Sequence, residues 1–248
     1  MNLFECAIDG AYLSELPYNI VLYDIIEAPD ESINSTPKSI GNGSAYIRQQ
    51  RESLTVTLRL AIREQDTAKR MEAFAAVQQW AKGGGILTRG DREGQLLAVE
   101  CVMQPAMASA LKWTELVDLA FVAHGDPYWR STETVSTTIT DRGSLTVPGT
   151  APECKASAVI TPTGELTTVT IDTGLSRITL DELMHTQPIS IGHDANGYLF
   201  ISSAGQSLLL QRTIDSSDEL LVACGTNAIS VTANVPVSVE ISARGAWL

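Results

Sequence analysis

The stretch ESLTVTLRLAI, from Glu52 to Ile62, alternates without a break. Leu54, Val56, Leu58, Leu60 and Ile62 fall on one side, and Ser53, Thr55, Thr57 and Arg59 on the other. Successive side chains of a strand point to opposite faces, so a period of two means a strand with one dry face and one wet face. The segment after it changes period. Asp66 offers an N-cap, and over Thr67 to Lys82 the residues Met71, Phe74, Ala75, Ala81 and either Val77 or Trp80 recur at three- and four-residue spacing. That spacing predicts a helix with those residues toward the core, and Gly83-Gly84-Gly85 ends it.

Downstream, Ile86 to Thr88 and Gln95 to Met103 flank the turn Arg89-Gly90-Asp91-Arg92-Glu93-Gly94 and read as a hairpin. A long strand is expected from Ala110 to His124, with Trp113, Glu115, Val117, Leu119 and Phe121 on one face, ending at Gly125-Asp126-Pro127-Tyr128-Trp129. Upstream, Asn19 to Glu27 is rich in β-branched and aromatic residues and reads as a strand. Ala28 to Ser44 carries Pro29, Pro37, Gly41 and Gly43 among Ser and Asn, and is expected to be a long loop or arm without a core of its own.

Beyond Trp129 helical patterns vanish. Ser131 to Thr140 is nearly all Ser, Thr, Val and Ile, and short apolar runs then recur between Gly and Asp turns. They include Ala156 to Thr161, Thr167 to Asp172, Arg177 to Leu180, Pro188 to Ile191, Tyr198 to Ser202, Ser207 to Gln211, Glu219 to Ala223, Ala228 to Thr232 and Val237 to Ala243. Short, regularly spaced strands imply a β-sandwich or jelly-roll-like domain. The fold class is therefore mainly β with one helix: an α+β half over residues 1–135, then an all-β half over 136–248, joined near Thr132 to Ser144.

Two domains suit 248 residues, and 44% apolar residues suffice for a core without crosslinks. Charged residues make up only 19%, which suggests that sister subunits cover part of the surface. The formal net charge is −12, with 17 Lys and Arg, and the densest basic stretch (Lys69, Arg70, Arg89, Arg92) is interleaved with acids. Neutralising phosphates needs a basic patch, so nucleic-acid binding is not expected, whereas an acidic wall suits a conduit through which DNA slides. Cys6, Cys101, Cys154 and Cys224 form no CxxC pair and are expected to be reduced and mostly buried. No signal peptide or membrane span is visible, which predicts synthesis in a cytoplasm.

A search for chemistry returns little. His124, His185 and His193 have no metal-ligand spacing. His193-Asp194 followed by Asn196-Gly197 could offer oxygens to calcium, but Asp, Asn and Gly are the ordinary residues of a β-turn and the reading is a turn. Asp181-Glu182, Asp215 and Asp218-Glu219 read as solvated loop acids rather than an acid–base pair. There is no GxSxG, and Gly83 to Gly85 follows a helix instead of opening one, so it cradles no phosphate. Arg89-Gly90-Asp91 spells an integrin tripeptide by chance in a hairpin turn. Trp113, Tyr128 and Trp129 could stack on a sugar, although Trp113 shares its face with core residues. No catalytic, cofactor-binding or metal-ligating residue is assigned, and no enzyme activity or cofactor is expected.

The order of elements resembles the distal tail protein family of siphophages. The resemblance is carried by Gly41-Asn42-Gly43, Leu54 to Ile62, Met71 to Trp80 with its Gly stop, Ile86 to Met103, Leu116 to Trp129 and the last strand, Val237 to Leu248. Asp126-Pro127-Tyr128-Trp129 is the best-matched of these. The resemblance implies a hexameric ring formed by the N-terminal domain, joining the tail tube to the tail-tip or baseplate hub. It implies a C-terminal galectin-like sandwich that holds receptor-binding or other adhesion parts. The implied partners are the protein itself, the tube protein and the tail-tip hub protein, in the virion tail tip. Ala28 to Ser44 would then cross to the neighbouring subunit, and Glu52 to Ile62 would be an edge strand paired with it. Two other readings are another ring-forming tail component, such as a tube protein, and a carbohydrate-binding sandwich relying on Trp129 and Trp247.

Overall fold

A computed structural model describes residues 5–37, 44–101, 106–111, 114–194 and 197–248. The chain divides into two compact units, Met1–Trp129 and Arg130–Leu248. The first contains β1 (Cys6–Ile8), β2 (Ala11–Tyr12), β3 (Ile20–Pro37), β4 (Ser44–Ile62), α1 (Thr67–Ala81), β5 (Gly85–Arg89), β6 (Gln95–Cys101), β7 (Ala106–Leu111) and β8 (Thr114–Ala123). Its strands run β3-β4-β8, continue through β6, β5 and β1 to β2, and β7 shares an edge of β8 with β6.

The alternating stretch lies in β4, and its apolar set is fully buried: Leu54, Val56, Leu58, Leu60 and Ile62. It is not an edge strand, as the sequence reading had it. Leu54 to Ile62 pairs with β8 on one side and with β3 on the other. Alternation reports which face is dry and says nothing about how many neighbours a strand has, which is where the reading failed. On β8, Glu115, Val117, Leu119 and Phe121 point inward as expected, while Trp113 lies outside the described residues. The strand expected from Ala110 onward is instead two, β7 and β8, paired with each other.

Helix α1 begins where Asp66 Oδ1 accepts from Ala68 N at 2.9 Å. Its buried face is Ala73, Val77 and Ala81, while Met71 and Ala75 are exposed. The expected face was therefore rotated. Small residues at four-residue spacing let the helix backbone approach the sheet, and the larger Phe74 and Trp80 close the flanks. Trp80 meets Phe121 edge-on at 6.3 Å and donates Nε1–H to Ala11 O at 2.8 Å. The Gly run is more than a stop. Gly84 sits at φ +74, and a Cβ there would run into the Val99 carbonyl of β6.

The second unit contains β9 (Trp129–Ile139) from Arg130 onward, Trp129 being the last residue of the first unit, and β10 (Arg142–Val147), β11 (Cys154–Pro162), β12 (Val169–Asp172), β13 (Arg177–Leu180), β14 (Ile189–His193), β15 (Leu199–Ser203), β16 (Gln206–Ser207), β17 (Leu221–Val222), β18 (Gly225–Ala233) and β19 (Val237–Trp247). One sheet runs β16-β15-β14-β11-β19-β9 and the other β10-β18-β12-β13, with β17 added to the edge of β11. Inward residues are Ala156, Ala158 and Ile160 of β11 and Val239 and Ile241 of β19. The other sheet contributes Leu145, Ile171, Ile178, Ile229 and Val231. This is a β-sandwich. Ser207 to Gln211, expected as a strand, is a two-residue strand followed by a 3-10 turn, Leu209–Gln211. No helix among the described residues is long and apolar enough to cross a membrane.

Candidate functional site

Among the described residues the longest strand pairing is the hairpin of β3 and β4. Ala28 to Ser44 was expected to be a loop, yet Ala28 to Pro37 is strand, and Pro37 pairs with Ser44. Residues 38–43, which include Gly41-Asn42-Gly43, lie outside the described residues. Pro29 and Pro37 misled the sequence reading because proline donates no ladder hydrogen bond. On an outer strand that loss is harmless, and among the described residues β3 pairs only with β4. Register shifts at Leu22/Asp24, Asp30/Glu31 and Asn34/Ser35 bend and twist this outer strand.

The pairing of β4 with β8 ends at Leu54 opposite Ala123. From Asp30 opposite Ser53 to Pro37 opposite Ser44, the two strands pair only with each other among the described residues. A two-stranded ribbon about 25 Å long therefore runs past the sheet. Such a ribbon is marginal in water by itself, and its outer edges can pair with a further strand. At its base Arg51 lies 5.5 Å over the Tyr128 ring and 3.7 Å from Glu31.

Below the ribbon sits a charge cluster anchored on Trp129. Glu27 of β3 accepts from Arg89 Nη1, and from Arg92 Nη2 at 2.8 Å. Arg89 also donates Nε–H to Asp91 Oδ1 at 2.9 Å. The two guanidinium carbons lie 5.4 Å and 5.0 Å over the Trp129 ring, which is fully buried. Positive charge over the indole face is attractive, and Glu27 and Asp91 compensate the cations. The Arg-Gly-Asp tripeptide is thus consumed internally: its Arg is buried and bound to its own Asp. Of the basic stretch noted in the sequence, Arg89 and Arg92 are neutralised in this cluster, and Arg70 lies 3.8 Å from Glu115. Nothing in the sequence marked Glu27 as the counter-charge, because 62 residues separate it from Arg89.

The other candidate residues do not converge. His124 is exposed in the first unit; His185 and His193 are half-buried in the second. Among the described residues no group of His, Cys, Asp and Glu could hold a metal ion. Asp194 makes a hairpin turn: Tyr198 N donates to its Oδ1 at 2.8 Å and Gly197 N to its carbonyl at 2.9 Å, with Gly197 at φ +83. Asn196 lies outside the described residues. Asp181 caps the Glu182 amide at 2.9 Å, Asp218 meets Arg212 at 3.2 Å and Glu219 meets Lys155 at 3.3 Å, so these acids serve separate turns. Trp129 cannot stack on a sugar, and Trp247 is half-buried.

Burial, followed by the Lys155 charge, lowers the His193 pKa; Glu219 and Asp194 oppose that shift more weakly. A histidine held below its unfolded value of 6.5 binds its proton more readily when the chain unfolds. Its contribution to stability is complete above that value and falls as pH drops through 6.5 toward the folded pKa. Denaturant midpoints of His193→Gln should fall less between pH 7 and pH 5 than those of the parent chain; equal slopes would contradict this.

No family model matches the chain, and no curated protein matches it in sequence. Among solved structures the fold is similar to that of a phage hub protein. The SPP1 Dit (gp 19.1) protein, described as a paradigm of the hub adsorption apparatus in phages infecting Gram-positive hosts, matches with a TM-score of 0.66. That match has 11% identity and covers 97% of this chain and 98% of that one. Chains of the phage P2 baseplate in its activated conformation are also similar. With Ca the TM-score is 0.45, and with Sr it is 0.43, each at 8% identity over 97% of this chain and 97% and 96% of theirs. At 11% identity the likeness to the SPP1 protein is one of fold.

Proposed function

We propose that the protein is a structural component of a phage or prophage tail tip, in which six copies form a ring between the tail tube and the tail-tip hub. The observation that carries this reading is the ribbon of residues 30–37 and 44–53, which extends past its own sheet with no third strand among the described residues. A neighbouring copy that receives the ribbon satisfies its edges, and a head-to-tail contact repeated by rotation closes a ring. The full-length likeness to a tail hub fold supports the same assignment.

Residues 1–135 form the ring domain in this account, with the galectin-like sandwich of 136–248 as the attachment platform for adhesion or receptor-binding parts. The net charge of −12 suits a ring whose channel passes DNA without binding it. Catalysis has no part in this role. Negative-stain electron microscopy of the full-length protein should show class averages with six-fold symmetry. Uniform particles without rotational symmetry at any loading would sink the reading.

A further inference from the structure

Among the four cysteines, two meet. Cys154 lies in β11, where it pairs with Val222 of β17, and the chain then turns toward β18 through Cys224. This register brings Cys224 Sγ to 3.1 Å from Cys154 Sγ across 70 residues of sequence, and 3.4 Å from the Ala246 carbonyl. Both thiols are free, Cys154 buried and Cys224 half-buried.

We propose that Cys154 and Cys224 are a site of oxidative modification that closes to an intramolecular disulfide once the protein meets an oxidising medium, with a small-molecule disulfide such as oxidised glutathione as the oxidant. The sulfurs need approach by only about 1 Å to reach bonding distance. Access decides the order of events. Burial pushes the Cys154 thiol up to about 12, with the hydrogen bond to Cys224 adding to the effect, so Cys154 is a poor first nucleophile. Cys224, the more accessible sulfur, attacks one sulfur of oxidised glutathione as its thiolate and expels glutathione thiolate. Cys154 Sγ then attacks the Cys224 sulfur, its proton passing to solvent, and the second glutathione leaves. Two protein thiols and one glutathione disulfide become one protein disulfide and two glutathiones. The bond ties the β11 edge to the segment entering β18 and constrains the unfolded chain across 70 residues, which stabilises the folded sandwich relative to it.

The crosslink does not rest on the tail-tip assignment and is tested on the full chain. After oxidised glutathione is added and removed, the protein is denatured and alkylated. The expected product has lost two hydrogens, is alkylated only at Cys6 and Cys101, and yields a non-reduced tryptic pair joining residues 143–155 to 213–244. Its melting temperature should rise by roughly 10 °C and return on reduction. Cys224→Ser and Cys154→Ala should each remove both the linked pair and the rise. Four alkylated cysteines, or glutathione retained on Cys224 without a link to Cys154, would overturn the proposal. So would a melting rise that persists in both variants.

Discussion

Replacing residues 32–50 by Asn-Gly should leave the protein folded and reduce it to a protomer. Glu31 and Arg51 are paired in the ladder, so a two-residue turn that favours tight hairpins closes the strands at that point. Everything the sheet uses remains: Leu54 to Ile62 between β3 and β8, the contact of Arg51 with Tyr128, and the cluster on Glu27. The removed part pairs with nothing else among the described residues, so its loss costs the first unit little. If the ribbon is the element that a neighbouring copy receives, assembly disappears while the melting temperature stays within a few degrees. An assembly that survives the replacement would show that other surfaces hold the copies together.

The largest effect on stability is expected at Trp129. Truncating a fully buried indole to alanine costs about 3–5 kcal/mol, and here it also removes the surface on which two guanidinium groups rest. Glu27→Ala attacks the same cluster from the other side. It leaves Arg89 buried with Asp91 alone and should cost about 3 kcal/mol, at the lower end for a broken buried pair because Glu27 keeps some solvent contact. The double variant should be less destabilised than the sum, since both changes dismantle one network. Urea unfolding of the three variants measures this. A cost below about 1 kcal/mol for Trp129→Ala would mean that the cluster is ornamental to the fold.

These expectations show how far the sequence alone carries. The dry face of β4, the helix with its Asp66 cap and Gly stop, the hairpin after it and the sandwich were all legible, because each rests on a local period or a local turn residue. Of what was not legible, three features bear on the candidate site. The ribbon was hidden by Pro29 and Pro37, which argue against a strand unless the strand is known to be outermost. The two neighbours of β4 were hidden because a period of two is the same for edge and central strands. The Glu27 cluster was hidden because pairing a charge on β3 with the 89–94 turn requires the tertiary fold. The acids that stood out in the sequence, Asp181, Asp194, Asp218 and Glu219, serve separate turns and surface pairs.

The ring is the centre of this account, and solution mass tests it most directly. Light scattering on the full-length protein over a range of concentrations should show the mass climbing from the 26.6 kDa protomer toward about six times that value. A mass fixed at 26.6 kDa up to the highest soluble concentration would contradict it.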